Sequence, residues 1–283
     1  MRSSSPTIID LDDSRQYRND HEQSARMVSA QGSRDRLVPP NLGGLGDHCF
    51  RDRNWRSCRS GKPLMCNRAR FDGEPETITE RFGAEWLADK PMDNRFDPKE
   101  LRPFSRAYVV RNEADRRGLD VMEWDVLAGQ AKQAGRKVAQ TNVRTLHLPQ
   151  WRSLVSDPAN RCLIPLTEFC EWAREPTDLG DGKKPIKGEM WFGVTDQPVF
   201  AIAGFWRQVG DQRYFAMVTC DANELVAPIH PKAMITILRP DDHERWLTGS
   251  YDDVLSLQRP YPADRMTVRG PVFPTRTVTP RLI

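Results

Sequence analysis

The sequence lacks long apolar runs and the short motifs of the commonest enzyme sites. No stretch among its 283 residues approaches the roughly 20 apolar residues that span a bilayer. The first residues, MRSSSPTIIDLDD, have no apolar core of the kind found in secretory signals. The motifs GxGxxG, GxxxxGK[ST], HExxH and GxSxG are all absent. We therefore expect a cytoplasmic protein that makes no contact with a membrane.

Cysteine and histidine are scarce, and their spacing argues against metal and disulfide frameworks. The six cysteines form no CxxC pair, and a chain of this length without a secretory signal is not expected to contain a disulfide framework. Of five histidines, only His147, His230 and His243 lie beyond residue 64, and His243 falls in a predicted surface helix. We expect no metal and no cofactor. Most of the thiols should be small core residues.

The composition changes near residue 65. Residues 1–64 are rich in Arg, Asp, Ser, Asn and Gly, show no lasting apolar periodicity and account for the net charge of +3. We interpret them as a disordered extension, either a mis-assigned start or a removable propeptide. Residues 65–270 form the expected domain, and residues 271–283 form a C-terminal tail. Because the charge of the remainder balances to zero, nucleic-acid binding would require a local patch.

Strand-like runs dominate the domain, with a few helices and no β-α-β rhythm. This pattern predicts a single α+β domain with a mixed, mainly antiparallel, barrel-like sheet flanked by helices. The predicted strands are 107–111, 120–127, two pieces within 161–173, 190–194, 199–206, 214–220 and 233–238, and the predicted helices are 76–89, 147–156, 239–247 and 250–258.

Four short segments each place a reactive side chain beside turn formers or aromatic residues. They are MCNR at 65–68, TNVR at 141–144, FCEW at 169–172 and APIHPKAM at 227–234. With RCLIP, AGFW and LQRP in the same order, they resemble the SRAP family, the SOS response-associated peptidases. The resemblance extends over most of residues 65–270.

This resemblance implies a covalent reaction with DNA in the SOS response to damage. Cys66 would become the N-terminal residue and bond to an abasic site in single-stranded DNA. Asn142 would lie near the reacting sugar, and Glu171 and His230 would act as the acid/base pair. The implied partner is single-stranded DNA containing abasic sites, and we expect a monomer.

The resemblance also implies a set of contacts to DNA. Arg144 would bind a phosphate, Arg68 and Thr219 would contact the backbone, and Trp124 would stack on a base. Here the sequence departs from the family pattern, since WDVL lacks the glycine of the usual Trp-Gly-Leu turn. Glu168 and Cys170 also replace the usual Gly and Tyr before the Glu-Trp pair.

An N-terminal cysteine suits this chemistry because its amine and thiol lie on adjacent carbons. The amine forms a Schiff base with the aldehyde of an opened abasic sugar, and the thiol then closes a thiazolidine ring. With residues 1–64 attached, Cys66 has no free amine. Either translation begins at Met65, or the domain cleaves its own extension.

Each residue also has an ordinary interpretation when taken alone. Cys66 would be a buried thiol, Glu171 a solvated strand-edge charge, Asn142 a turn residue and His230 a loop residue. The joint occurrence of the four segments leaves three hypotheses open. These are a crosslinking enzyme, an autopeptidase that cleaves only its own N-terminus, and a non-catalytic single-strand binding module.

Overall fold

The computed structural model describes residues 67–87, 96, 99–126 and 140–273. The expected extension 1–64, the candidate nucleophile Cys66 and residues 274–283 of the expected tail lie outside the described residues. In chain order the strands are β1 (Arg68–Arg70), β2 (Glu85–Trp86), β3 (Arg106–Glu113), β4 (Arg116–Trp124), β5 (Asn142–Val143), β6 (Arg161–Leu166), β7 (Glu168–Thr177), β8 (Ile186–Val194), β9 (Phe200–Val209), β10 (Gln212–Cys220), β11 (Met234–Ile235), β12 (Ile237–Leu238) and β13 (Met266–Val272).

Four α-helices accompany these strands in the described part of the chain. They are α1 (Pro75–Phe82), α2 (Pro149–Ser156), α3 (His243–Thr248) and α4 (Tyr251–Leu257). Prolines begin α1 and α2, where the missing N–H costs no helical hydrogen bond. Ser250 caps α4 in a reciprocal capping box with Asp253. No described helix is long and apolar enough to span a bilayer.

Five strands close into a barrel in the order β4, β3, β6, β9 and β10, with β10 returning to β4. The β10–β4 pairing is parallel, and the other four pairings are antiparallel. The short strand β5 lies parallel to β10, and β11 is antiparallel to it. The barrel therefore confirms the prediction of an α+β domain built on a mixed, mainly antiparallel, barrel-like sheet.

A second sheet contains β1, β7, β8 and β13, all antiparallel. Alternate residues of the barrel strands belong to two cores, since successive side chains point to opposite sides of a strand. One core is shared with the second sheet and includes the stacked pair Phe169 and Phe192, whose ring centroids are 5.1 Å apart. The other core is shared with the helices and includes Trp151, Phe205 and Trp246.

The predicted strands and helices are confirmed, but some of their ends differ and the structure contains short strands that were not predicted. The predicted helix 76–89 ends early, because Gly83 adopts a left-handed conformation (φ 59°) and its N–H bonds to the carbonyl of Thr79. The predicted strand 233–238 is two short strands, β11 and β12. The expected surface position of His243 is wrong, since the side chain begins α3 at 8% exposure.

Candidate active site

Glu171 is buried at the start of β7, with 2% of its surface exposed. It pairs with Met190 of β8, two residues after the Phe169–Phe192 pair, so it points to the core side of the sheet. The alternative of a solvated strand-edge charge at Glu171 is therefore wrong. A buried carboxylate requires polar partners at close range.

His230 ends the turn that follows β10 and supplies such a partner. Asn223 shapes this turn by accepting hydrogen bonds from the backbone N–H groups of Leu225 and Val226, at 3.1 and 3.0 Å. The His230 N–H then bonds to the Val226 carbonyl at 2.8 Å. Its ring nitrogen Nδ1 lies 3.5 Å from Glu171 Oε1, the outer limit of a hydrogen bond.

This pairing changes the protonation of the imidazole. Glu171 raises the pKa of His230 above its usual value, against the opposing effect of burial, and a hydrogen bond to the Ala233 backbone also raises it. Lys232 lowers it by charge repulsion. The pair therefore favours an imidazolium ion held against a carboxylate, which can give up and take back a proton.

Asn142 lies on β5, directly beside β10. Its side chain is buried, and its Nδ2 atom lies 3.4 Å from the Oδ1 atom of Asn67. The hydroxyl of Thr141 donates to the same Asn67 oxygen at 2.8 Å. These bonds tie the chain just before β1 to the end of the barrel where β5 and β10 meet.

Arg144 and Thr219 lie at that same end. The Arg144 guanidinium, 44% exposed, contacts the carboxylate of Asp221 and the backbone carbonyl of Lys232. Gln258 connects the residue after β5 to β10, because its Nε2 donates to the carbonyls of Arg144 at 2.6 Å and of Thr219 at 2.8 Å. Since Lys232 follows His230 by two residues, these contacts connect Arg144 to the Glu171–His230 pair.

The described thiols are all buried core residues. Burial raises the pKa of Cys170 to about 12 and of Cys220 to about 11, and it raises that of Cys162 further. The expectation that most of the thiols are core residues is confirmed for these three. A thiol with a raised pKa is a poor nucleophile at neutral pH.

One protein family matches the sequence that forms this site. The model of the SOS response associated peptidase (SRAP) family matches residues 65–272. The chain belongs to the SRAP family. A comparison with curated protein sequences finds no match.

Solved structures share the fold of this SRAP chain. A crystal structure of a protein from Bacteroides thetaiotaomicron matches with a TM-score of 0.60 and 21% identity, over 74% of this chain and 97% of that one. A protein from Bordetella bronchiseptica matches with a TM-score of 0.57 and 22% identity, over 72% and 98%. A phage-related protein from the same organism matches with a TM-score of 0.53 and 17% identity, over 75% and 95%. At these identities the likeness concerns the fold.

Two predicted DNA contacts, Arg68 and Trp124, have their side chains engaged by other residues of the protein. Arg68 pairs with Cys170, so it points to the opposite face of the second sheet from Glu171. There it forms ion pairs with Glu189 and, at 2.9 Å, with Glu100. Its charge is thus paired with carboxylates and not with the Glu171–His230 pair.

The prediction that Trp124 stacks on a base is wrong. Its side chain has no exposed surface, and its ring lies parallel to that of Phe215 at 6.3 Å. The indole N–H donates to the Thr141 carbonyl at 2.9 Å. Trp124 therefore supports the backbone beside Asn142 from within the core.

Several residues that shape the site are not among those predicted from the sequence. Asn67, Thr141 and Gln258 lie inside the quoted segments MCNR, TNVR and LQRP, so their position next to motif residues was the available signal. Phe104 carried no such signal. It is 52% exposed and has a left-handed backbone (φ 67°), and its N–H bonds to the Trp124 carbonyl at 3.3 Å. Within the described ranges, no cluster of three or more His, Cys, Asp or Glu residues could hold a metal ion.

Proposed function

We propose that this SRAP protein captures abasic sites in single-stranded DNA through Cys66, as part of the SOS response. The observation that carries the proposal is the bonding of Asn67, the residue after Cys66, to Thr141 and Asn142. The antiparallel register of β1 and β7, continued by one residue, sets Asn67 opposite Glu171. Cys66 is the residue covalently joined to the N-terminal side of Asn67.

The reaction balances with the loss of one water. The α-amine of Cys66 attacks the aldehyde carbon of the opened sugar, and the carbinolamine loses its hydroxyl as water to give an imine. The thiol sulfur then bonds to the imine carbon, and the thiol proton passes to the nitrogen. The product is a five-membered thiazolidine, in which no oxidation or reduction has occurred.

The acid/base steps fit the Glu171–His230 pair. Forming the aldehyde requires the sugar ring to open, which a proton donor accelerates by protonating the ring oxygen. His230, whose pKa is raised by Glu171, is protonated over a wider pH range than a free imidazole and can supply that proton. Glu171 can take the proton released when the amine attacks.

Arg144 is the proposed phosphate anchor. Its guanidinium is half-exposed and already holds a carboxylate, that of Asp221, which is itself 78% exposed. A DNA phosphate could replace this exposed carboxylate and gain charge-assisted hydrogen bonds. Single-stranded substrate avoids the cost of extruding the sugar from a duplex.

The chemistry requires that Cys66 carry a free α-amine. Two routes remain open, translation from Met65 followed by removal of the methionine, and cleavage of the 65–66 bond by the Cys-Glu-His set itself. Mass measurement of the purified full-length chain separates them. A folded product that retains Met1 would count against self-cleavage.

The proposal is tested with single-stranded DNA bearing one abasic site. The full-length chain and a chain that begins at Met65 are incubated with the DNA and analysed on a denaturing gel. We expect a heat-stable shifted band from the chain with a free Cys66 amine, and loss of this band in Cys66→Ala. Cys162→Ala, which removes a buried barrel thiol, is the matched control and should crosslink normally.

Reversible binding distinguishes the remaining alternatives. If Cys66→Ala still binds single-stranded DNA, the loss of the band reports chemistry and not folding. If the Met65 chain with a free amine binds DNA without crosslinking, the protein is a binding module and the proposal fails.

A further inference from the structure

A cavity of about 310 Å³ lies between α1, β4 and the turn that leads into α3. Its lining is mainly charged and contains none of the residues of the candidate active site. The lining residues are Arg81, Phe82, Arg117, Pro240, His243 and Glu244.

Two buried nitrogen atoms in this lining have no hydrogen-bond partner within the described part of the chain. They are Nε of Arg117 and Nε2 of His243. His243 is 8% exposed, and its ring lies 5.4 Å from that of Phe82. Because buried polar atoms are nearly always hydrogen-bonded, the unpartnered Arg117 N–H indicates a ligand that offers acceptor oxygens. The His243 Nε2 atom can donate to the same ligand when the imidazole carries its proton there.

The charge around the cavity favours an anion. Arg81 donates to Gln197 Oε1 at 3.2 Å, and Arg117 donates to the Phe82 carbonyl at 3.3 Å, which leaves further N–H groups on both guanidinium ions. Arg117 also holds the carboxylate of Glu244. Glu244 is 65% exposed, so its carboxylate can turn into solvent and give way to another anion.

We propose that this cavity binds a phosphate group, held by Arg81 and Arg117 with His243 as a third donor from Nε2. The planar guanidinium groups match the oxygen geometry of phosphate. The phosphate belongs either to a free anion or to the backbone of a bound DNA strand. The site is separate from the proposed crosslinking reaction and does not depend on it.

The first test measures binding of inorganic phosphate to the full-length chain by calorimetry. We expect Arg117→Gln to weaken binding about tenfold or more, since it removes charge-assisted hydrogen bonds. Arg116→Gln is the matched control, because Arg116 precedes it on β4, is 52% exposed and contacts only Glu85 among the described carboxylates, at 3.7 Å. No binding at millimolar phosphate, or an equal loss in both variants, would overturn the proposal.

Glu244→Gln provides a test that does not depend on the folding of Arg117→Gln. The substitution removes an exposed competing carboxylate and keeps the shape of the side chain. We expect phosphate to bind several-fold more tightly. Weaker or unchanged binding would contradict the role assigned to Arg117.

The role of His243 is tested with sulfate, whose charge does not change near neutral pH. Burial, and then Arg117 and Arg81, lower the pKa of His243 to about 4, while Asp242 and Asp241 act in the opposite direction. A bound anion offsets the arginines and favours the imidazolium ion. Sulfate affinity should therefore rise from about pH 7.5 to about pH 5.5. His243→Asn should lose this rise, and an identical rise in the variant would exclude His243 from the site.

Single-stranded DNA without an abasic site distinguishes the two sources of phosphate. If DNA displaces inorganic phosphate and Arg117→Gln weakens DNA binding, a backbone phosphate occupies the cavity. If phosphate binds equally with and without DNA, the ligand is a free anion. Both results retain the phosphate site and assign its occupant.

Discussion

Among single residues, the buried pair of Glu171 and His230 matters most for the proposed chemistry. The carboxylate is almost fully buried and the imidazole largely so, with 15% of its side chain exposed. The raised pKa of His230 has a consequence for stability. The pair stabilises the fold below about pH 6.5, the value for an unfolded histidine, and this contribution is lost as the pH rises through the raised pKa.

Replacing Glu171 should change the titration of His230. In Glu171→Gln the hydrogen-bonded charge is gone and burial remains, so the pKa of His230 should fall to or below its usual value. The crosslinking rate should fall by about a hundredfold, while reversible DNA binding persists. NMR titration of the imidazole measures the first effect and the gel assay the second.

Glu168→Gln is the matched control for this change. Glu168 lies on the same strand but faces the opposite side of the sheet, where it contacts Arg70 and Arg269. It should leave both the His230 titration and the rate unchanged. An unaltered pKa of His230 in Glu171→Gln would contradict the coupling.

Trp124 should prove to be a stability residue and not a DNA contact. Trp124→Ala removes a fully buried ring and a hydrogen bond to Thr141, which should cost about 3–5 kcal/mol of unfolding free energy. Phe104→Ala, at an exposed aromatic residue nearby, should change the free energy of unfolding by less than about 0.5 kcal/mol. Denaturant unfolding of the two variants measures both free-energy changes. Equal losses of unfolding free energy would contradict the burial of Trp124.

At the level of elements, β9 depends on a close approach at Gly204, within the AGFW segment. A Cβ atom there would lie 2.1 Å from Ile164 Cδ1 on β6 and 3.0 Å from the Ala216 carbonyl on β10. These neighbours are buried on both sides, so they have little room to move. The glycine therefore lets three barrel strands pack closely.

Gly204→Ala should destabilise the protein by about 1–3 kcal/mol through overpacking. The double variant with Ile164→Val removes the methyl group that clashes and should recover part of this loss. Thermal unfolding of the single and double variants measures the coupling. Strictly additive losses would show that Ile164 does not limit the space at Gly204.

The longer strands and most helices could be predicted because each carries its own pattern. Residues 161–166 are buried throughout, and the apolar run at 162–166 is visible in the sequence. The strands β1, β2 and β5 contain only two or three residues, too few to show a period of two. Their existence depends on partners distant in the chain, as β5 depends on β10.

At the scale of the whole molecule, the fold brings residues of all four motif segments into contact through partners that local patterns do not specify. The motif order predicted that Asn142, Glu171 and His230 would share a site, and the contacts through Asn67 and Lys232 connect them. The order of the motifs does not predict that Arg68 lies on the opposite face of the sheet from Glu171, because the face depends on the register of β1 with β7. The burial of Trp124 likewise depends on the stacking partner Phe215.

Buried His243 should make the whole fold sensitive to acid. The unfolded chain takes up a proton on this residue below about pH 6.5, whereas the folded chain does so only near about pH 4. Stability should therefore fall with pH in this window, by up to about 3 kcal/mol from this group. Unfolding measured without phosphate or sulfate should show a shallower fall in His243→Asn. The same slope in both proteins would contradict the lowered pKa.

The intact mass of the covalent product with abasic single-stranded DNA tests the thiazolidine mechanism most directly. We expect a mass equal to the chain beginning at Cys66 plus the DNA, less one water. An adduct that retains residues before Cys66, or the absence of any adduct when the Cys66 amine is free, would contradict the thiazolidine mechanism.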